Sequence, residues 1–367
     1  MILMNDFKAE PPEIRKAMSN AANRVIESGW FVLGKELSSL ETLWAKTCGM
    51  KYGVGVGNGM DAIEIGLRIL DIGPGDEVIT TPMTAFATVL AILRVGATPV
   101  LADIEENTGL LSIESARRCV TSKTRAIVLV HLYGQVRNMS AWQEFTKKHG
   151  IELIEDCAQS HLATSDGKVA GSFGALGAYS FYPTKNLGAL GDAGMLVTSN
   201  EEHAQRASRL RNYGQSIRYH HSEIGMNSRL DEMQAAILLE RLKWLPEFTE
   251  RRRQIAKTYH AQLKNPLIHL LAEPTEQAAH VYHLFVITTE YRDQLQRYLE
   301  SEEIQALIHY PVTIHQQEPT KNLKRDPQGL IVSEKHADRC LSLPCHPQMS
   351  EQDVSRVIDV VNKFNIR

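Results

Sequence analysis

Lys185 lies in the run Ser180-Phe181-Tyr182-Pro183-Thr184-Lys185-Asn186-Leu187-Gly188-Ala189-Leu190-Gly191-Asp192-Ala193-Gly194. A strand-like segment precedes it, and a glycine-rich loop and a second strand-like segment, Met195–Thr198, follow. An amine in a loop is most often surface charge. Small residues around it also let a flat ligand approach closely. Asp156, in Glu155-Asp156-Cys157-Ala158-Gln159-Ser160, falls directly after another apolar run, where a helix cap or surface charge is the plainer reading. Together a lysine and a carboxylate supply what pyridoxal phosphate requires. The amine condenses with the aldehyde, and the carboxylate keeps the pyridine nitrogen protonated so that the ring accepts electrons. A phosphate needs backbone amides at a helix start. Gly57-Asn58-Gly59-Met60-Asp61 offers them between an apolar run and a helical one. The same glycines fit a relaxed dinucleotide fingerprint, Gly57-x-Gly59-x-x-Ala62. The following strand ends in Thr80-Thr81, without the acid that ribose binding calls for.

The elements that must carry these residues alternate. Strands are expected at Tyr52–Val56, Val78–Thr80, Thr98–Ala102, Ala126–Val130 and Glu152–Ile154. Helices are expected at Met60–Leu70, Phe86–Val95, Ile113–Val120 and Met139–His149. This alternation implies right-handed crossovers and an α/β fold with a mostly parallel sheet and helices on both faces. Ligands on such sheets gather at the carboxyl ends of the strands. A helix over Leu230–Leu245 stops before Pro246, and a charged helix spans residues 247–265. Tyr282–Thr288 and Gln305–Ile308 read as strands, and Arg292–Glu302 and Ser350–Phe364 as helices. The division is a large unit, residues 1–245, and a smaller α+β unit, residues 246–367.

The 367 residues carry a formal net charge of -3, with 43% hydrophobic and 23% charged residues. This gives no global electrostatic case for nucleic acid or an anionic membrane. No segment approaches the roughly 20 apolar residues of a spanning helix. Acids and prolines (Asp6, Glu10, Pro11, Pro12) stand where a signal peptide would be apolar. Five scattered cysteines suggest reduced thiols and a cytoplasmic setting. No His or Cys grouping has convincing metal spacing, so no metal is expected.

The chain resembles the sugar aminotransferases of the DegT/DnrJ/EryC1/StrS family along essentially its whole length. The resemblance rests on an ordered set of motifs. They are Gly57-Asn58-Gly59-Met60-Asp61-Ala62, Gly75-Asp76-Glu77-Val78-Ile79, Glu155-Asp156-Cys157-Ala158-Gln159, Ser180 to Lys185 and Gly191-Asp192-Ala193-Gly194. Gly225-Met226-Asn227-Ser228-Arg229-Leu230-Asp231, His280-Val281-Tyr282-His283 and His309-Tyr310-Pro311 complete it. The resemblance implies the aspartate-aminotransferase (type I) fold with a seven-stranded type of sheet. It makes Lys185 the Schiff-base lysine and Asp156 the partner of the pyridine nitrogen. It puts Gln159 beside the ring, and Gly59, Met60 and Ser180 at the phosphate. Asn227 would reach the phosphate from a neighbouring subunit in a homodimer, with Arg229 beside it.

Two departures stand out. Met60 replaces a hydroxyl residue of many relatives, and Phe86, a candidate for the cofactor ring or else for the core, stands one position after the usual ring-stacking aromatic, where Ala85 is. The resemblance further implies transfer of an amino group from glutamate to a nucleotide-linked keto sugar, with pyridoxamine 5'-phosphate as the aminated cofactor. The Gly191-Asp192-Ala193-Gly194 wording is most similar to members acting at the 3-keto carbon of dTDP-6-deoxyhexoses; many 4-keto members carry Gly-Glu-Gly-Gly. His131, His309, Tyr310 and His315 match positions near the substrate mouth, although a lone histidine is more often structural. A lyase or decarboxylase on the same fold, a non-catalytic regulator, and a nucleotide-sugar oxidoreductase are the competing readings.

Overall fold

The computed structural model describes residues 1–366. Its centre is an eight-stranded sheet. In spatial order the strands are Tyr52–Val56, Gly194–Thr198, Leu176–Ser180, Glu152–Asp156, Thr124–Val130, Glu77–Thr80, Thr98–Leu101 and Lys324–Arg325. The first two pairings are antiparallel and the other five parallel. The expected seven strands are all present. The eighth comes from beyond residue 245, because Lys324–Arg325 pairs with Val100–Leu101. Helices cover both faces, so the central strands read as continuous apolar runs; Ala126–Val130 is buried throughout.

The sequence reading needs correction in several places. Pro246 does not merely end a helix. The preceding helix is Glu232–Leu242, and Pro246 sits in the first turn of the next, Leu245–Gln262. There its missing N–H costs nothing. Gln305–Ile308 is not a strand; isolated bridges pair Ile304 with Ile2 and Leu307 with Ser342. The strand expected at Tyr282–Thr288 is confined to Phe285–Thr288 and pairs with an unanticipated one, Cys340–Leu343. Two N-terminal helices, Pro12–Ser28 and Lys35–Thr47, were also unanticipated. Both pack on the Glu232–Leu242 helix.

The three-stranded sheet of His269–Leu270, Phe285–Thr288 and Cys340–Leu343 carries its own apolar core. Ile255, Tyr259, Leu295, Leu299, Val357 and Val361 from three helices fill it.

Candidate active site

Sheet topology brings the candidate residues to one edge. Glu152–Asp156 and Leu176–Ser180 run parallel, so Asp156 and Ser180 emerge together. The antiparallel Gly194–Thr198 strand starts there, with Gly194 opposite Val56, the residue before Gly57-Asn58-Gly59. Thr80 ends its strand at the same edge, and the chain then leads into the Phe86–Arg94 helix.

Asp156 is 6% exposed. Its Oδ2 accepts the Thr88 hydroxyl proton at 2.8 Å, and its Oδ1 accepts the Ala158 N–H at 3.1 Å. The Thr84 hydroxyl lies 2.8 Å from that of Thr88. Since Thr88 spends its proton on the carboxylate, Thr84 must donate to Thr88. This chain fixes the orientation of the Asp156 carboxylate.

Lys185 follows a tight turn in which its own N–H donates to the Tyr182 carbonyl at 2.8 Å. Ala189 N–H returns to the Phe181 carbonyl at 2.7 Å, closing the loop. A Cβ on Gly188 would stand 2.2 Å from the Pro183 oxygen, so only glycine permits this closure. Lys185 is half-buried. Burial lowers its ammonium pKa to about 8, against the opposing pull of the Asp156 charge. A substantial neutral fraction near pH 8 is what a proton-moving amine needs.

Asn58 caps the Gly59–Ile69 helix, its side-chain oxygen accepting the Asp61 N–H at 2.9 Å. The first amides of a helix have no intrahelical acceptor, and here they belong to Gly59 and Met60. Gly59 sits against Ser180: a Cβ there would stand 2.7 Å from the Ser180 Cβ. The Met60 side chain packs on the core cluster of Val54, Ile63 and Leu196, so only its backbone amide is left at the helix start. Ser228 locks this loop by accepting the Gly57 N–H at 2.9 Å and donating to Asp61 Oδ2 at 2.6 Å. An amine, a supported carboxylate and a helix start beside a serine are a donor set that suits pyridoxal phosphate.

Gln159 and Tyr310 meet, Nε2 to hydroxyl, at 3.4 Å. Burial and the Asp156 charge raise the Tyr310 phenol to about 12. Burial and the Lys185 charge lower His309 to about 4. His309 and Tyr310 therefore lie within range of the Lys185 and Asp156 charges. His315 is engaged elsewhere, bonding Glu334 through Nε2 at 2.8 Å and Thr313 through Nδ1 at 3.1 Å. His131 is buried against Glu155 at 2.8 Å. Phe86 packs on a cluster of Val89, Leu101, Ile314 and Leu330. Arg229 bonds Asn212 at 3.1 Å and lies 5.4 Å from the Tyr213 ring centre, while Asn227 is exposed.

Sequence reasoning missed Thr88, Thr84, Ser228 and Glu155. Thr84 and Thr88, spaced i, i+4 across the helix start, were the one available signal. Glu155 is 0% exposed. It accepts N–H bonds from Gly171 (2.7 Å), Phe173 (2.7 Å) and Gly174 (3.0 Å) besides the one from His131. It fastens the loop that follows the Asp156 strand. His131, Glu155 and Cys157 also form a group with metal-ligand atom types. Hydrogen bonds to Glu155 account for that clustering.

A family model described as the DegT/DnrJ/EryC1/StrS aminotransferase family matches residues 12–362. The chain belongs to this family. Its members are pyridoxal-phosphate-dependent sugar-nucleotide transaminases. The chain is 44% identical over 364 residues to dTDP-3-amino-3,6-dideoxy-alpha-D-galactopyranose transaminase of Aneurinibacillus thermoaerophilus, covering 99% of each. It is 38% identical over 362 residues to UDP-N-acetyl-3-dehydro-alpha-D-glucosamine 3-aminotransferase of Acidithiobacillus ferrooxidans, covering 99% of this chain and 97% of that one. Among solved structures, S. venezuelae DesV in complex with a ketimine intermediate matches with a TM-score of 0.95 at 40% identity, covering 99% of this chain and 97% of that one.

Proposed function

We propose that this aminotransferase moves an amino group from glutamate to the 3-keto carbon of a dTDP-linked 6-deoxyhexose. The observation that carries the transfer chemistry is the half-buried Lys185 amine, lowered to about 8 by burial and within range of the charge of an Asp156 carboxylate held by Thr88. When bound, pyridoxal phosphate supplies an electron-accepting ring and the carbon that carries the amino group between substrates. Asp156 keeps the ring nitrogen protonated. The Gly59 and Met60 amides and the Ser180 hydroxyl hold the phosphate, and Gln159 lies beside the ring. Lys185 would anchor the aldehyde, and its neutral amine would take up and return a proton at the substrate carbon.

Glutamate as donor follows from the family resemblance. The choice of a 3-keto dTDP sugar rests on the Gly191-Asp192-Ala193-Gly194 wording and on the name of the Aneurinibacillus relative. The Acidithiobacillus relative favours a second reading with a UDP carrier. Incubating the protein with glutamate and either dTDP- or UDP-linked 3-keto sugars decides between them, and a 4-keto sugar tests the regiochemistry. Amination of a 4-keto sugar alone would overturn the proposal.

We place the working form as a cytoplasmic homodimer with shared sites, residues 1–245 forming the large unit and 246–367 the small one. An exposed apolar patch supports the dimer. Trp30 (63% exposed), Phe31 (53%) and Leu190 (58%) surround the start of the Glu232–Leu242 helix. Phe31 accepts the Glu232 N–H, and Leu190 N–H donates to Gln234. Asn227 stands exposed a few residues before that helix, available to a second copy. Among the described residues no helix is long and apolar enough to cross a membrane.

A further inference from the structure

Tyr133 lies in the turn after the central Thr124–Val130 strand, yet it reaches the site from two directions. It is 0% exposed, and its φ is +63°, a left-handed conformation that a tyrosine rarely adopts. Gly134 follows at φ +99°, where a Cβ would stand 2.9 Å from the Gln159 carbonyl and 3.1 Å from the His283 nitrogen. Strained backbone of this kind persists where its surroundings over-determine it, and it concentrates at functional sites.

The contacts show what over-determines it. The Tyr133 N–H donates to Gln159 Oε1 at 2.6 Å. The Tyr133 hydroxyl donates to the His309 carbonyl at 2.7 Å, and its oxygen lies 2.9 Å from His336 Nε2. A phenol has one proton and a carbonyl can only accept. His336 Nε2 must therefore carry the hydrogen that points at Tyr133. Burial lowers His336 to about 4, so the ring is neutral with Nδ1 unprotonated at neutral pH. With Gln159 Oε1 pinned, its Nε2 is left to face the Tyr310 hydroxyl. With the His309 carbonyl pinned, the backbone just before Tyr310 is fixed. One residue thus holds both partners of the Gln159–Tyr310 contact.

We propose that Tyr133 is a positioning residue, braced by His336, that sets Gln159 and the His309-Tyr310 segment in register over the Asp156–Lys185 centre. The proposal rests on the cofactor assignment made above.

The test uses full-length protein loaded with pyridoxal phosphate, in the wild type, Tyr133→Phe, His336→Leu, His336→Gln, and the Tyr133→Phe/His336→Leu double variant. Two quantities are read. One is the pH midpoint of the visible band of the lysine-bound cofactor; the other is the maximal rate and apparent affinity with which glutamate bleaches it. Tyr133→Phe keeps the N–H bond to Gln159 but frees the His309 carbonyl, so Tyr310, whose phenol feels the Asp156 charge, shifts and alters the field at the ring. Tyr133→Phe should move the midpoint by about half a pH unit. It should slow bleaching about tenfold, with apparent glutamate affinity changed less than about twofold. His336→Leu should behave like Tyr133→Phe, and His336→Gln, which keeps an N–H donor, should restore most of the rate. The double variant should be no slower than Tyr133→Phe, because both changes break one strut.

A wild-type midpoint and rate in Tyr133→Phe, or fully additive losses in the double variant, overturn the proposal and leave the cofactor assignment intact. If Tyr133→Phe fails to fold, the His336 pair decides, and equal behaviour of Leu and Gln there overturns the proposal. A wild type without the band overturns the cofactor assignment and the proposal together.

Discussion

The Thr88 hydroxyl donates to Asp156 Oδ2 across 2.8 Å in a buried environment, and Thr84 lies 2.8 Å behind it. A charged acceptor makes this one of the stronger hydrogen bonds in the site. Thr88→Val keeps the shape and removes the donor. It should weaken pyridoxal phosphate binding about tenfold, or about 1.4 kcal/mol, while Thr84→Val should cost less. Titration of cofactor-free protein by fluorescence or absorbance measures both. Equal affinity in Thr88→Val would detach Asp156 from this support.

The pH dependence follows from Lys185. Its pKa of about 8 is set by burial. The free amine should therefore take up pyridoxal phosphate faster as pH rises, reaching a plateau above pH 8. Burial lowers His309 to about 4 and His161 to about 3, so neither titrates near neutrality. Stopped-flow mixing across pH 5 to 9 should give one inflection near 8. A dominant inflection between 6 and 7 would mean that a histidine controls the site.

Stability should fall in acid for a related reason. Burial holds His161 near 3 and His309 and His336 near 4, all below their ordinary 6.5. Between pH 6.5 and 4 the unfolded chain binds protons that the native chain refuses, so stability declines as pH drops. Each such histidine contributes about 1.4 kcal/mol per pH unit within that window. Lys185 acts with the same sign at higher pH. Its native pKa lies below its ordinary 10.5, so stability of the cofactor-free protein rises from about 8 to 10.5. Urea midpoints of that form across both windows check the two slopes.

Glu155 accepts three backbone N–H bonds and one from His131, all within 3.0 Å. Glu155→Gln places an NH2 group among donors and removes the charge they were built around. It should destabilise the protein by about 3 kcal/mol or more. Equilibrium urea unfolding reads this, and a loss below 1 kcal/mol would contradict the saturated network.

The parallel-rich sheet was legible because its strands are apolar runs separated by helical periods, as at Ala126–Val130. Asp156 was legible because it ends such a run, and Lys185 because it stands in a small-residue loop between two of them. Contacts between distant segments were not. Ser228 bonding Asp61, and Tyr133 bonding His309, join residues 167 and 176 positions apart, and no local pattern encodes them. The Lys324–Arg325 strand was missed because two residues have no periodicity to read. Pro246 was misread because proline both ends helices and opens them.

The most direct measurement is the visible absorption spectrum of purified protein with pyridoxal phosphate, before and after glutamate, for wild type and Lys185→Ala. The account predicts a band in the wild type that glutamate bleaches and that the variant never forms. A wild type without the band, or a Lys185→Ala protein that shows it unchanged, would contradict the assignment of Lys185.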